Sequence, residues 1–166
     1  MFQKYIVKDD PVSYIADYVY ISGWTDSLNI YKLIQMDIKA IICINTNQKS
    51  SEVMDLYKEY NIQHYHFEKE DTDKEDLEPD IIEAVKLINY HVDRKERILV
   101  HCGSGISRAP TFVLAYFITK YELTCLQKAI EDMIKRRRCI GPNHGFRTYL
   151  ETLCKTNRLK QGPSSG

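Results

Sequence analysis

The sequence predicts an α/β fold with a mostly parallel central sheet flanked by helices. Short apolar segments of strand length alternate along the chain with segments whose apolar residues recur at helical spacing. The chain has 166 residues, 43% of them hydrophobic and 28% charged, which is enough for one compact domain and too few for two ordinary ones. We therefore predict a single domain over residues 1–160, with strands buried between helices.

The predicted elements follow one another in a regular order. Four segments are predicted as strands: Val19–Ser22, Lys39–Ile44, Ile62–Phe67 and Arg97–His101. Apolar residues at helical spacing predict four helices, each with one apolar face: Leu28, Tyr31 and Ile34; Val53, Leu56, Tyr57 and Tyr60; Leu77, Ile81, Val85 and Ile88; Leu126, Ile130, Met133 and Ile134. Ser51 and Thr124 are predicted to cap the second and fourth of these helices. A last helix should run from about Asn143 towards Arg158.

The chain ends and the cysteines suggest a cellular setting. Met1–Asp10 lacks the long apolar stretch of a signal peptide. The cysteines are five in number and form no C-x-x-C pair, so reduced thiols are expected. We expect a cytoplasmic protein, with the nucleus left open as a second location. Residues 161–166 are expected to be a disordered tail or an expression remnant.

The charge balance excludes several classes of partner. Twenty-three basic and 23 acidic side chains cancel, so no overall field favours nucleic acid or an anionic membrane. The longest nearly apolar run, Pro110–Ile118, is about half the length of a membrane span. We therefore expect neither nucleic acid nor a membrane as a partner.

The informative segment for chemistry is 100–110, in which a buried strand leads into a glycine-containing loop and then into a helix. Such a turn gathers backbone N–H groups at the positive end of a helix dipole and can bind an anion. Gly103 and Gly105 let the backbone close around an oxyanion. Cys102 adds a nucleophile, and Arg108, six residues later, adds a planar fork that can bind two phosphate oxygens.

These residues resemble the signature of the cysteine-dependent protein tyrosine phosphatases, His-Cys-x-x-Gly-x-x-Arg. Residues 101–108 match it at every fixed position, and 19–153 resemble the small dual-specificity branch. The resemblance implies a protein tyrosine phosphatase-like fold and a phosphocysteine intermediate. It implies that the phosphate is bound by a loop made of Gly103, Ser104, Gly105, Ile106, Ser107 and Arg108, with His101 and Asn143 in supporting positions.

The resemblance also places a general-acid aspartate about thirty residues before the cysteine. Asp71 lies 31 residues before Cys102 and is the predicted acid, with Asp73 as the alternative. In the implied mechanism the Cys102 thiolate attacks phosphorus while Arg108 and the loop amides bind the equatorial oxygens. Asp71 protonates the leaving group and then activates water.

The implied function is hydrolysis of phosphotyrosine, and of phosphoserine or phosphothreonine, in phosphorylated proteins. We expect the protein to be a monomer. No cofactor and no metal is expected, because Arg108 and the backbone supply the positive charge. The rival hypothesis is a phosphopeptide-binding pseudophosphatase with little turnover. The variable loop positions carry no positive charge, which argues against phosphoinositide substrates. Ala109 stands where most relatives have serine or threonine, and predicts slow breakdown of the intermediate.

Three further features have alternative interpretations. Cys43 is either a core cysteine or a redox partner of Cys102. His64 and His66 share a strand face, but no third ligand stands at a usual spacing, so no metal site is predicted. The run 136–138 contains three arginines, interpreted as a solvated helix end or a docking patch for acidic phosphopeptides.

Overall fold

The computed structural model describes residues 11–162, and the predicted α/β fold is confirmed. Five strands form one sheet in the order β1-β2-β5-β3-β4. The strands are β1 (Ser13–Ala16), β2 (Val19–Ser22), β3 (Ile38–Ile44), β4 (Gln63–Phe67) and β5 (Arg97–His101). β1 and β2 are antiparallel and the other pairs are parallel. The carboxyl ends of β3 and β5 therefore lie side by side, near the middle of the sheet.

Seven helices lie on the two faces of the sheet in this part of the chain. They are α1 (Trp24–Ser27), α2 (Ile30–Gln35), α3 (Ser51–Glu59), α4 (Glu78–Asp93), α5 (Arg108–Lys120), α6 (Leu126–Ile134) and α7 (His144–Gln161). One face carries a small core that includes Leu33 of α2 and Tyr57 of α3. The other face carries the larger core, around α5, which is buried along most of its length. None of the described helices is both long and apolar enough to cross a membrane.

The local predictions differ from the structure in the short helices. Leu28, Tyr31 and Ile34, which the pattern predicts to form the apolar face of a helix, are all exposed. Leu33 is the buried residue of α2. The prediction fails because a helix of six residues gives too short a pattern to show which face is buried. Ser50, not Ser51, caps α3, by accepting a hydrogen bond from the Val53 N–H.

Two predictions for the C-terminal part of the chain, the cap of α6 and the end of α7, differ from the structure. α6 begins after Cys125 and has no side-chain cap, so the predicted Thr124 cap is wrong. α7 continues to Gln161, one residue into the segment predicted as a tail. The rest of that prediction, residues 163–166, lies outside the described residues, and so does the N-terminal segment 1–10.

Candidate active site

The segment between β5 and α5, residues 102–107, is called the Cys102 loop. The Cys102 side chain is 2% exposed, and its Sγ accepts a hydrogen bond from the Gly105 N–H at 3.3 Å. Gly105 has a left-handed φ of 71°, and a Cβ there would lie 2.7 Å from the Ser22 carbonyl oxygen. The loop can therefore close over the sulfur only with glycine at this position.

The carbonyl groups of the Cys102 loop all turn away from the sulfur. Each carbonyl oxygen of residues 103–107 accepts a hydrogen bond from outside the loop. In loop order the donors are the Trp24 N–H (2.8 Å), the Arg137 guanidinium (3.3 and 2.9 Å), the Gly141 N–H (2.7 Å) and the Thr111 hydroxyl (2.6 Å). In a planar trans peptide the N–H points opposite to the C=O. The amides of 104–108 therefore face the Cys102 side and line a concavity of the kind that can bind an anion.

Arg137 braces this loop from behind, which the sequence did not reveal. Its guanidinium is 2% exposed and donates to the carbonyl oxygens of Ser104 and Gly105. It also donates to the Pro11 carbonyl at 2.8 Å and to the Ser13 hydroxyl at 3.0 Å. A solvated helix end is therefore the wrong interpretation for Arg137, because α6 ends at Ile134 and Arg137 is buried. Three consecutive arginines carry no signal that tells which one turns inward.

Arg108 opens α5 and lies across the mouth of the loop. Its Nη1 donates to the Lys69 carbonyl at 3.0 Å, on the segment that leads to Asp71. A Cβ at Gly103 would lie 3.2 Å from Nη2, so the guanidinium passes close to the loop backbone. The side chain thus joins the Cys102 loop to the acidic loop, residues 68–76.

The two candidate acids are held in different places. Asp71 Oδ1 accepts hydrogen bonds from the Ser107 hydroxyl at 2.7 Å and from Asn143 Nδ2 at 2.9 Å. Asp73 instead accepts the Gly145 N–H at 3.1 Å, at the beginning of α7. The structure therefore brings Asp71, and not Asp73, into contact with the Cys102 loop. Asn143 also caps α7, through a bond from the Phe146 N–H at 2.9 Å.

Gly145 allows close contact between the acidic loop and α7. A Cβ at Gly145 would overlap the backbone of Asp73, so glycine allows the acidic loop to pack directly on α7.

Ala109 is fully buried in the first turn of α5 and has no hydroxyl to offer the sulfur. The hydroxyl of Ser107, two residues before Ala109, donates to Asp71 instead.

Behind the loop, His101 links the cysteine to a partly buried amine, that of Lys49. Its Nδ1 lies 3.1 Å from the Cys102 carbonyl oxygen, so Nδ1 carries the proton and Nε2 presents a lone pair. Lys49 Nζ lies 2.6 Å from that Nε2 and 2.9 Å from the Nε2 of His64. Burial, and then the charge of Lys49, lower the pKa of His64 to about 3 and that of His101 well below its usual range. Both imidazoles are therefore neutral near pH 7.

The same burial acts on Lys49 and Cys43. Burial lowers the pKa of the Lys49 ammonium to about 8 and raises the pKa of the Cys43 thiol to about 11. The rings of Trp24 and Tyr57 lie against Lys49, with centroids 5.3 and 5.4 Å from Nζ. His66 lies on the same face of β4 as His64, and its ring contacts the Asn45 carbonyl oxygen at 2.7 Å.

The fold and the Cys102 loop together define a domain of the cysteine-dependent protein tyrosine phosphatase superfamily. Residues 19–155 match the family described as "Dual specificity phosphatase, catalytic domain". The chain belongs to this family.

The curated relatives are much longer proteins. "Dual specificity protein phosphatase PHS1" of Arabidopsis thaliana is 32% identical over 146 residues, which cover 86% of this chain and 15% of the relative. A "Probable rhodanese domain-containing dual specificity protein phosphatase" of Dictyostelium discoideum is 29% identical over 141 residues, which cover 85% of this chain and 28% of the relative. The chain therefore spans less than a third of either protein.

Solved structures share the fold at low identity. Human DUSP28 superposes with a TM-score of 0.79 at 17% identity, covering 90% of this chain and 97% of that one. The human tyrosine phosphatase-like serine/threonine/tyrosine-interacting protein gives a TM-score of 0.75 at 20% identity, covering 86% and 94%. At such identities the likeness establishes the architecture alone.

Proposed function

We propose that this chain is a protein phosphatase that hydrolyses phosphotyrosine, and also phosphoserine and phosphothreonine, through a phosphocysteine intermediate on Cys102. The observation that carries the proposal is the geometry of the Cys102 loop. Five consecutive carbonyls face away from the sulfur, and Asp71 is hydrogen-bonded to the same loop through Ser107.

In the first half-reaction, the Cys102 thiolate forms a bond to phosphorus while the phosphorus–oxygen ester bond breaks. The loop amides and the Arg108 guanidinium bind the three equatorial oxygens and stabilise their charge. Asp71 donates its proton to the departing phenolate or alkoxide. The hydrogen bonds from Ser107 and Asn143 fix the carboxyl group at the loop.

In the second half-reaction, water forms the new phosphorus–oxygen bond and the sulfur–phosphorus bond breaks. Asp71, now a carboxylate, takes a proton from that water, and Cys102 leaves as a thiolate. Most relatives place a hydroxyl beside the sulfur at this step, and Ala109 does not supply one. We therefore expect this step to limit turnover.

The substrate class follows from the charge around the loop. Its variable positions carry no cation, and Lys69 on the acidic loop is paired with Glu75 at 3.4 Å and Asp80 at 3.1 Å. A polyanionic headgroup would find little extra positive charge here. Phosphorylated side chains of proteins, which present one phosphate, suit the site better.

Pre-steady-state kinetics with p-nitrophenyl phosphate test the proposal. Wild-type protein should show a burst of nitrophenol followed by a slower phase, since the intermediate forms faster than it is hydrolysed. Asp71→Asn should lower kcat by about 10²–10⁴-fold, the usual contribution of a general acid. The rates of hydrolysis of a phosphotyrosine peptide and of a phosphothreonine peptide then test the two proposed substrate classes.

Asp73→Asn is the matched control, because it removes a carboxylate from the same loop without touching the Cys102 loop. It should keep turnover and lose some stability at the start of α7. Equal loss in both variants would contradict the role of Asp71. If the wild-type protein binds phosphopeptide but does not hydrolyse it, the protein is a phosphopeptide-binding protein and the proposed enzymatic function is wrong.

A further inference from the structure

Three potential metal ligands meet behind the Cys102 loop, on neighbouring strands of the sheet. Cys43 of β3 pairs with His101 of β5, and His64 of β4 pairs with Ile41, two residues before Cys43. Side chains two residues apart point to the same face of a strand. All three side chains therefore project from one face, where Cys43 Sγ and a ring nitrogen of each histidine lie within 4.8 Å of one another.

The lone pairs of the two imidazoles converge on one point. His101 donates its Nδ1 proton to the Cys102 carbonyl, so its Nε2 can only accept. His64 Nε2 and His101 Nε2 both lie within hydrogen-bond distance of a single atom, the Nζ of Lys49. A nitrogen cation thus occupies the place where two ring nitrogens, with a sulfur beside them, are already directed.

We propose that Cys43, His64 and His101 bind a divalent transition-metal ion of the zinc class, in exchange for the ammonium group of Lys49. Two imidazoles and one thiolate are ligands that zinc prefers, and its fourth position would be open to water. Zinc–nitrogen bonds are about 2.0–2.1 Å long. The present nitrogen–nitrogen distances of 2.6 and 2.9 Å therefore require only small movements of the rings.

The exchange balances in charge and atoms. The metal ion forms bonds to two neutral ring nitrogens and to the Cys43 sulfur, which releases its proton to solvent. Lys49 leaves as an ammonium ion. Its side chain is only partly buried and follows β3 in a loop, so it can turn into solvent without disturbing the sheet.

The site adjoins the proposed active site without sharing its thiol. His101 would bind the metal through Nε2 and keep Nδ1 on the Cys102 carbonyl, so occupancy would reach the Cys102 loop through one side chain. If the proposed phosphatase function holds, zinc should change turnover in the wild-type protein, and this change should depend on Cys43. The binding test below does not depend on turnover.

Cobalt(II) is the spectroscopic probe, and the full chain carrying Cys102→Ser is the background, which removes the other thiol near the loop. We expect a thiolate-to-cobalt charge-transfer band, tetrahedral visible bands, and displacement of cobalt by zinc. Loss of an outer partner alone costs about 10–100-fold in metal affinity. Cys43→Ser should therefore abolish the charge-transfer band and weaken binding at least about tenfold, as the loss of a ligand must exceed that of its partner.

Lys49→Met is the complementary variant, and it should tighten binding because the competing ammonium is gone. Cys125→Ser removes an exposed cysteine and His66→Gln removes a histidine of the same strand, and both should leave the affinity unchanged. Circular dichroism confirms that each variant is folded.

Three results would overturn the proposal. One is an affinity that is unaffected by both Cys43→Ser and His64→Gln. The second is a charge-transfer band that is present in wild type and lost with Cys102→Ser, which would assign the metal to the other thiol. The third is unchanged or weaker binding in folded Lys49→Met, which would contradict the exchange.

Discussion

Cys43 and Cys102 are two buried thiols, one within β3 and one just past the end of the neighbouring strand β5, and their surroundings are opposite in character. Cys102 stands just past the end of β5, at the beginning of a helix, and receives a backbone N–H. Cys43 lies within β3, where burial raises the pKa of its thiol to about 11. One position directs amide dipoles at the sulfur, and the other surrounds it with side chains. Burial alone therefore says little about the reactivity of a cysteine.

The largest expected effect is the difference between the two thiols in turnover. Cys102→Ser should lower kcat by on the order of 10⁴-fold or more, as loss of a nucleophile does in hydrolases. Cys43→Ser, measured with a chelator present, should keep turnover near the wild-type value. Steady-state hydrolysis of p-nitrophenyl phosphate measures both. A comparable loss in Cys43→Ser would show that the two regions act as one.

Removing the brace behind the loop is the next test. Arg137→Met should lower the free energy of unfolding by about 2–4 kcal/mol, because buried carbonyls lose their donor. Turnover should fall as well, since the loop amides lose their fixed direction. Urea unfolding measures the first effect.

Arg136→Met is the control for that variant, as it changes an exposed arginine next in sequence. It should alter stability little. Equal stability of the two variants would mean that the contacts of Arg137 are replaced by water.

A hydroxyl beside Cys102 should make the second half-reaction faster. Ala109→Ser is expected to raise the rate of the slow phase by about tenfold, the equivalent of about 1.4 kcal/mol in the barrier. Burst kinetics separate this phase from the first. Ala115→Ser, another buried alanine of α5, controls for the cost of burying a hydroxyl. No change in the slow phase would place the bottleneck elsewhere.

The smallest effect concerns the buried imidazole of His91. His91 is 2% exposed, its ring contacts Tyr65 and Glu96, and burial lowers its pKa. Below about pH 6.5 the unfolded chain therefore binds a proton that the folded chain does not. The free energy of unfolding then decreases as the pH decreases, by at most about 1.4 kcal/mol per pH unit. His91→Gln should flatten this dependence in unfolding curves. An unchanged slope would contradict it.

How much of the site can be predicted depends on how far apart its residues lie in the sequence. Cys102, Gly105 and Arg108 fall within one strand–loop–helix turn, so their spacing alone predicts an anion site. The family resemblance predicts Asp71 from its offset to Cys102, and in the structure its carboxylate contacts Ser107 of the loop. Its catalytic role stays a prediction.

The groups behind the loop could not be predicted in the same way. Cys43 and His64 approach His101 only because β5 pairs with β3 and β3 with β4. Strand order is a property of the assembled sheet and is not written in the spacing of any one segment. The inward turn of Arg137 is equally non-local, because its partners include Pro11 and Ser13.

The outward carbonyls of the Cys102 loop also bear on how this protein folds. Thr111 is a local donor, but the other donors come from Trp24, far before the loop in sequence, and from Arg137 and Gly141, well after it. Contacts between distant segments close late, because the entropy of long loops must first be overcome. Catalytic competence should therefore be among the last properties regained on refolding, after helical circular dichroism has recovered. Activity would then serve as a reporter of complete assembly.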